Sequence, residues 1–230
     1  MSNDDLQRWV TEELYWDPKV DDGAVAVRAA DGEITLRGTV GSFRQKREAE
    51  HAAERVYGVT SVKNELTVRP LNGLPREDTE LRGEVLQALM LDSIVPTTID
   101  ARVDDGWVTL TGTASWKYQV DEAEFLAGNV SGVIGVDDQV ELLNPQPSEH
   151  DVKDSIKKAL KRDAKIDADG LTVDADEGTV AVTGTVKSWS EHDAAIAAAW
   201  AAPGVKDVKD HIVVAYQVRH SGDNTRKEQA

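Results

Sequence analysis

The sequence predicts an α+β protein of three tandem αββαβ repeats, each a mixed three-stranded sheet with two helices on one face. Three observations carry this. Gly32-Glu33-Ile34-Thr35-Leu36-Arg37-Gly38-Thr39-Val40 returns as Gly106-Trp107-Val108-Thr109-Leu110-Thr111-Gly112-Thr113-Ala114 and as Gly178-Thr179-Val180-Ala181-Val182-Thr183-Gly184-Thr185-Val186, at offsets of 74 and then 72 residues. Gly58-Val59 with Val62 keeps both offsets, as Gly132-Val133 with Val136 and Gly204-Val205 with Val208. Within each copy the apolar period runs helical, then alternating twice, then helical, then alternating.

The first helix of each repeat shows apolar residues at i, i+4, i+8: Leu6, Val10, Leu14; Leu81, Val85, Leu89; Val152, Ile156, Leu160. An aspartate follows each time, Asp17, Asp92 and Asp163. A recurring acid could hold a cation, but at a helix exit it more simply accepts nearby backbone amides. Two alternating runs come next, joined by Asp31-Gly32, Asp105-Gly106 and Glu177-Gly178. Acid-Gly between alternating runs marks a β-hairpin turn. The second helix opens with Ser42-Phe43-Arg44-Gln45 and Ser188-Trp189-Ser190-Glu191, which fit a capping box. Ser115-Trp116-Lys117-Tyr118 places no Glu or Gln at the return position. Its buried face is small-residue rich: Ala49, Ala52, Ala53, Val56; Ala123, Leu126, Ala127, Val130; Ala195, Ala198, Ala199, Ala202. Gly58, Gly132 and Gly204 suit a left-handed C-cap. The last strand carries Val62, Leu66, Val68 and their counterparts, and a strand–helix–strand crossover makes it parallel to the strand before the helix.

These landmarks place repeats at residues 4–70, 76–143 and 149–215, with a polar, disordered tail at 219–230. Proline-bearing connectors, Pro70-Leu71-Asn72-Gly73-Leu74-Pro75 and Asn144-Pro145-Gln146-Pro147-Ser148, separate them. A unit of about 65 residues buries a limited core, so contacts between repeats or chains are expected to add stability. The 230-residue chain has a net charge of −16 and a pI near 4.7. An acidic surface excludes broad nucleic-acid binding. The absence of cysteine excludes disulfides, thiolate metal sites and a cysteine nucleophile. No apolar run is long enough to span a membrane, and the start Met1-Ser2-Asn3-Asp4-Asp5 has no signal-peptide character, so a cytoplasmic location is expected.

With Gly32, Ile34, Leu36, Gly38, Val40, then Gly58, Val59, Val62, Asn64, Leu66 in repeat one, the pattern resembles the BON domain (bacterial OsmY and nodulation) family. Repeat two departs at Ala114 and Asp138, and repeat three at Asp210. The resemblance covers nearly the whole chain. It implies a non-enzymatic protein with envelope or osmotic-stress roles and an affinity for phospholipid or other ligands.

The candidate sites follow from the repeat alignment. Gly38, Gly112 and Gly184 could line a ligand groove, but curvature or close helix approach explains them better. Phe43, Trp116 and Trp189 open the second helices, as hydrophobic staples, repeat contacts or lipid-insertion points. Trp107 aligns with Glu33 and Thr179, on the sheet face away from the helices, where another repeat or subunit would cover it. Repeat two and its connectors, residues 71–144, hold 14 acids and 4 bases, whereas the first helix of repeat three carries Lys153, Lys157, Lys158 and Lys161. That helix reads as a solvated face or a docking surface for something acidic, including the acidic helix with Glu77, Asp78, Glu80 and Glu84. The five histidines show no metal spacing, and no catalytic or phosphate-binding motif is present. The functional expectation is a stress-linked binding or scaffold protein with no cofactor, acting on a protein partner or a second copy. A phospholipid-surface binder and a monovalent cation sensor are the alternatives.

Overall fold

The computed structural model describes residues 2–69, 76–143, 149–163, 166 and 170–215. The connector segments 70–75 and 144–148 and the predicted tail 219–230 lie outside the described residues. The element order is α1 (Asn3–Trp16), a 3-10 turn (Asp22–Ala24), β1 (Val25–Ala30), β2 (Glu33–Val40), α2 (Phe43–Glu54) and β3 (Ser61–Val68). Repeat two gives α3 (Asp78–Leu91), β4 (Asp100–Asp104), β5 (Trp107–Ala114), α4 (Lys117–Asn129) and β6 (Gly135–Leu142). Repeat three gives α5 (Glu149–Arg162), β7 (Leu171–Asp176), β8 (Thr179–Val186), α6 (Trp189–Trp200) and β9 (Asp207–Val214). Each repeat forms its own three-stranded sheet. The central strands β2, β5 and β8 pair antiparallel with the strand before them and parallel with the strand after. The predicted α+β architecture of three αββαβ repeats is the fold observed.

Local chemistry explains the elements. The hairpins turn on two residues with positive φ, Asp31 at 51° and Gly32 at 89° in repeat one, with Asp105-Gly106 and Glu177-Gly178 alike. This is the type I′ turn, whose twist matches the strands it joins. The start of the first helix grips the turn. Asp31 N–H donates to Asn3 Oδ1 at 3.0 Å, and in repeat two the Asp105 and Gly106 amides donate to the Asp78 carboxylate at 2.8 and 3.0 Å. Ser42 and Ser188 accept the Gln45 and Glu191 amides as N-caps, and those side chains accept the Gly41 and Lys187 amides.

Repeat two differs from the sequence expectation here. The glycine spacing aligns Trp116, not Ser115, with Ser42, so α4 starts one residue later. The return residue is present as Gln119, which accepts the Ser115 and Trp116 amides at 3.0 and 3.1 Å. What this helix lacks is the capping hydroxyl. The glycines Gly58, Gly132 and Gly204 do have positive φ, but they lie beyond the helix ends. An extra turn, with Val59 N–H donating to Val56 O, separates Gly58 from the cap at Arg55.

Each repeat has its own apolar core between its helices and its sheet. In repeat one Val10 of α1, Ile34 and Leu36 of β2, and Ala49, Ala52 and Ala53 of α2 are fully buried. The alanines let α2 lie close to the sheet. The strand glycines serve another close approach. A Cβ at Gly38, Gly112 or Gly184 would stand 1.9–2.1 Å from the carbonyl oxygen of Ala24, Thr98 or Gly170. The neighbour that excludes a side chain is the backbone entering the hairpin, not a helix.

Candidate functional site

The three repeats pack through their second helices. Between repeats one and two, the Phe43 ring occupies the space above Gly128, where a Cβ would come within 2.9 Å of it. One turn on, the Arg47 guanidinium lies 5.7 Å from the centre of the Phe125 ring. Between repeats two and three, Lys117 Nζ lies 5.9 Å from the centre of a Trp200 ring, across a cleft of about 640 Å³ walled by α4 and α6. Between repeats three and one, Trp189 and Asp193 face His51 and Glu54 across a cleft of about 790 Å³. At the offsets of 74 and 72, Phe43, Lys117 and Trp189 are corresponding positions, and so are Glu54, Gly128 and Trp200. Each junction therefore sets the start of one second helix against the end of the next. A head-to-tail contact that returns to its starting unit closes a ring.

Charge is concentrated at these junctions. Burial, then the carboxylates of Glu50 and Asp193, push Glu54 up to about 7, with His192 opposing. Burial also raises Glu124, against the pull of Lys117 and Arg47. Burial works against the Lys117 charge, but its hydrogen bond to Asp121 and the charges of Asp121, Asp138 and Glu124 leave its pKa raised. Lys117 Nζ is 2.7 Å from Asp121 and 3.6 Å from Asp138. His192 is raised by its hydrogen bond to Asp193, at 3.0 Å, and by Asp210 at 2.7 Å, burial opposing.

The position of Asn64, Asp138 and Asp210 links the last strand to the second helix. Each side-chain oxygen accepts the amide two residues on, at Leu66, Val140 and Ile212. In repeat one Asn64 Nδ2 donates to Lys46 O at 2.8 Å. In the other two an aspartate takes its place and a basic side chain faces it, Lys117 Nζ at 3.6 Å from Asp138 and His192 Nε2 at 2.7 Å from Asp210. The departures from Asn at this position thus come with a compensating base on the facing helix.

The sequence-derived candidates distribute as follows. Phe43, Trp116 and Trp189 are half-buried and lie at three different junctions. The Trp189 indole N–H is buried without a hydrogen-bond partner among the described residues, and its ring meets His192 edge-on at 4.8 Å. Trp107 is on the face away from the helices, since its neighbours Val108 and Leu110 are fully buried. Among the described residues no other repeat covers it. It is 52% exposed and lies over Gly135 of the adjacent strand. Gly135, with no side chain, supplies the platform on which the ring lies.

The lysines are not brought to the aromatic residues. Lys153 pairs with Asp174 of its own repeat at 2.6 Å, while Lys157, Lys158 and Lys161 are exposed. The acidic stripe is engaged at home too, Glu84 with Arg76 and Asp78 with the hairpin amides. The helix-exit acids act locally: Asp17 accepts Lys19 N–H at 3.0 Å and the Arg55 guanidinium at 2.8 Å, and Asp92 accepts Ile94 N–H at 2.7 Å. Sequence reasoning missed Glu54, Lys117, Phe125 and Trp200. One signal pointed to them: Gly128 in a helix interior has no local role, and such a glycine implies close packing from outside.

Three comparisons with known proteins bear on the chain. Residues 2–70, 77–144 and 148–216 each match the BON domain family. Osmotically-inducible protein Y of Escherichia coli is 36% identical over 118 residues, 49% of this chain and 58% of that protein. The chain thus spans less than two thirds of the length of this curated relative. Among solved structures, CdsD, a structural protein of the type III secretion system of Chlamydia trachomatis, shares 16% identity. The alignment covers 98% of this chain and 100% of that one, with a TM-score of 0.28. Its C-terminal domain also aligns at 16% identity, over 94% of this chain and all of that one, with a TM-score of 0.26. With a family match in all three repeats, over the residues that build the sheets and the ring-forming helices, the chain belongs to the BON domain family.

Proposed function

We propose that this chain is a non-enzymatic, stress-linked binding or scaffold protein that uses the ends of its first helices as contact surface. One observation carries the reading. Tyr15 and Trp16 end α1 and are 65% and 77% exposed, and the corresponding Met90 and Leu91 of α3 are each 80% exposed. Large apolar residues exposed at equal positions of two repeats mark an interaction surface, because a partner covering them would remove their apolar area from water. A head-to-tail ring sets corresponding positions on the same end, so the two pairs serve one surface. The stress link rests on the likeness to the osmotically inducible relative. The non-enzymatic reading rests on the junction groups, whose bonds are made within their own repeats, Lys117 to Asp121 and His192 to Asp193 and Asp210.

Self-association tests the surface. Sedimentation equilibrium over rising concentration should show species heavier than 25.1 kDa. Trp16→Ser combined with Leu91→Ser should return the chain to monomer with an unchanged circular dichroism spectrum. A wild-type chain that stays monomeric throughout contradicts self-association. An osmotic upshift that leaves the level of the protein unchanged contradicts the stress link.

A second reading has its own observation. The positions matching Tyr15 and Trp16 in repeat three are Lys161 and Arg162, both exposed beside Lys158. Apolar anchors flanked by basic residues suit an anionic lipid surface. No helix among the described residues is long and apolar enough to cross a membrane, so contact would be peripheral. Pelleting with anionic vesicles, weakened by Lys158→Glu with Lys161→Glu and absent with neutral vesicles, would favour it.

A further inference from the structure

We propose that the cleft between repeats two and three binds a small, weakly hydrated organic cation of the quaternary ammonium class. The cleft holds about 640 Å³, within the range of small-molecule sites, and lies between repeats, where such sites favour forming. Its walls are aromatic: Trp116 and Tyr118 from repeat two, Trp200 from repeat three. The Trp200 ring already attracts a cation, because Lys117 Nζ stands 5.9 Å from its centre.

The charge around the cleft is one-sided. Asp121 and Asp193 line it, one from each repeat, Asp138 lies 3.6 Å from Lys117 Nζ, and Glu124 also acts on that charge. Three acidic side chains therefore act on one ammonium, which is held by Asp121 at 2.7 Å, and Asp193 adds a fourth acid to the lining. An anion meets net repulsion here. Sodium and potassium lose more hydration energy on an aromatic wall than they recover. A methylated ammonium keeps its charge while shedding little water, and its methyl groups pack on indole faces. Asp121 is more than half exposed, so it can attract the ligand without being desolvated beforehand. The site uses none of the helix-end residues of the preceding section, so either reading can fail alone.

Titration calorimetry with tetramethylammonium chloride against sodium chloride at matched ionic strength tests the site. A five-heavy-atom ligand at an open cleft should bind with a Kd of about 1–10 mM. Trp200→Leu should weaken binding about tenfold by removing the cation's aromatic face. Because Trp200 also touches its own core, Asp121→Asn provides a second reading and should weaken binding about threefold. Lys117→Met should strengthen it, since the internal competitor for Trp200 is gone. Folding of each variant is checked by circular dichroism. Lack of saturable heat with both wild type and Lys117→Met, or equal heat with sodium, overturns the proposal. So does binding left unchanged by both Trp200→Leu and Asp121→Asn.

Discussion

Glu54 sits at the junction of repeats three and one, with Asp193 facing it and Glu50 one turn back on its own helix. Its folded pKa of about 7 lies above the ordinary value of 4.5. Below about 4.5 the group is neutral in both states and the junction is at full strength. As the pH rises toward 7 the unfolded chain releases its proton first, so stability falls, and the loss is complete above about 7. The group is only half withdrawn from solvent, so the effect is about 1–2 kcal/mol after screening. Glu54→Gln should gain that amount at pH 8 and almost nothing at pH 4, read from urea unfolding. His192 acts in the same direction, because its raised pKa stabilises the imidazolium form and the benefit fades as the pH climbs past it. Glycine positions give a sharper contrast. Gly38→Ala would drive a Cβ to 1.9 Å from Ala24 O at a φ of 138°, so repeat one should lose about 3 kcal/mol or more. Gly83→Ala meets nothing within 4 Å on an exposed helix position and should gain about 0.5–1 kcal/mol. Thermal unfolding of the two variants should shift in opposite directions.

Among the elements, α4 is the one whose start departs from the repeat pattern, because Trp116 stands where the other two helices have a serine. Its cap depends on Gln119 alone, so Gln119→Ala should cost about 1 kcal/mol, and Trp116→Ser should recover part of that by restoring a hydroxyl acceptor. Denaturant titration of both variants and their combination would show it. The same helix shows where sequence reading stops. Periodicity located every helix and strand, because each has one face in a core of its own repeat, and that information is local in sequence. Acid-Gly pairs located every hairpin, since few other residues accept two positive φ values in succession. The cap register of α4 was misread because Ser115 imitates an N-cap one residue early, and only the glycine spacing fixes the frame. Trp107 was placed on the correct face, but its exposure within the single chain was not legible. Whether a face is covered depends on how whole repeats dock, which no period records. The junction partners were illegible for the same reason: Lys117 with Trp200, and Phe43 with Gly128, are far apart in sequence and belong to different periodic patterns.

At the scale of the whole molecule, three separate cores meet through a ring of helix contacts, so the ring should open before the repeats unfold. Gly128→Leu would push a side chain into the Phe43 ring and wedge the first junction. The radius of gyration from small-angle scattering should rise while helix content stays constant; a fall in helix content would mean that the junction and the core of repeat two are one cooperative unit. The head-to-tail closure also bears on ancestry. Three identical subunits in such a ring must accept a single pairing chemistry at every boundary. Covalent fusion removes that symmetry, and the copies have used the freedom: Phe meets Gly, Lys meets Trp and Trp meets Glu at places that geometry makes equivalent. Divergence among the repeats is then specialisation of boundaries rather than drift on a tolerant scaffold. A chain rebuilt from three copies of the first repeat would confront Phe43 with Glu54 at every turn of the circle, and should remain a string of folded beads that never joins its ends.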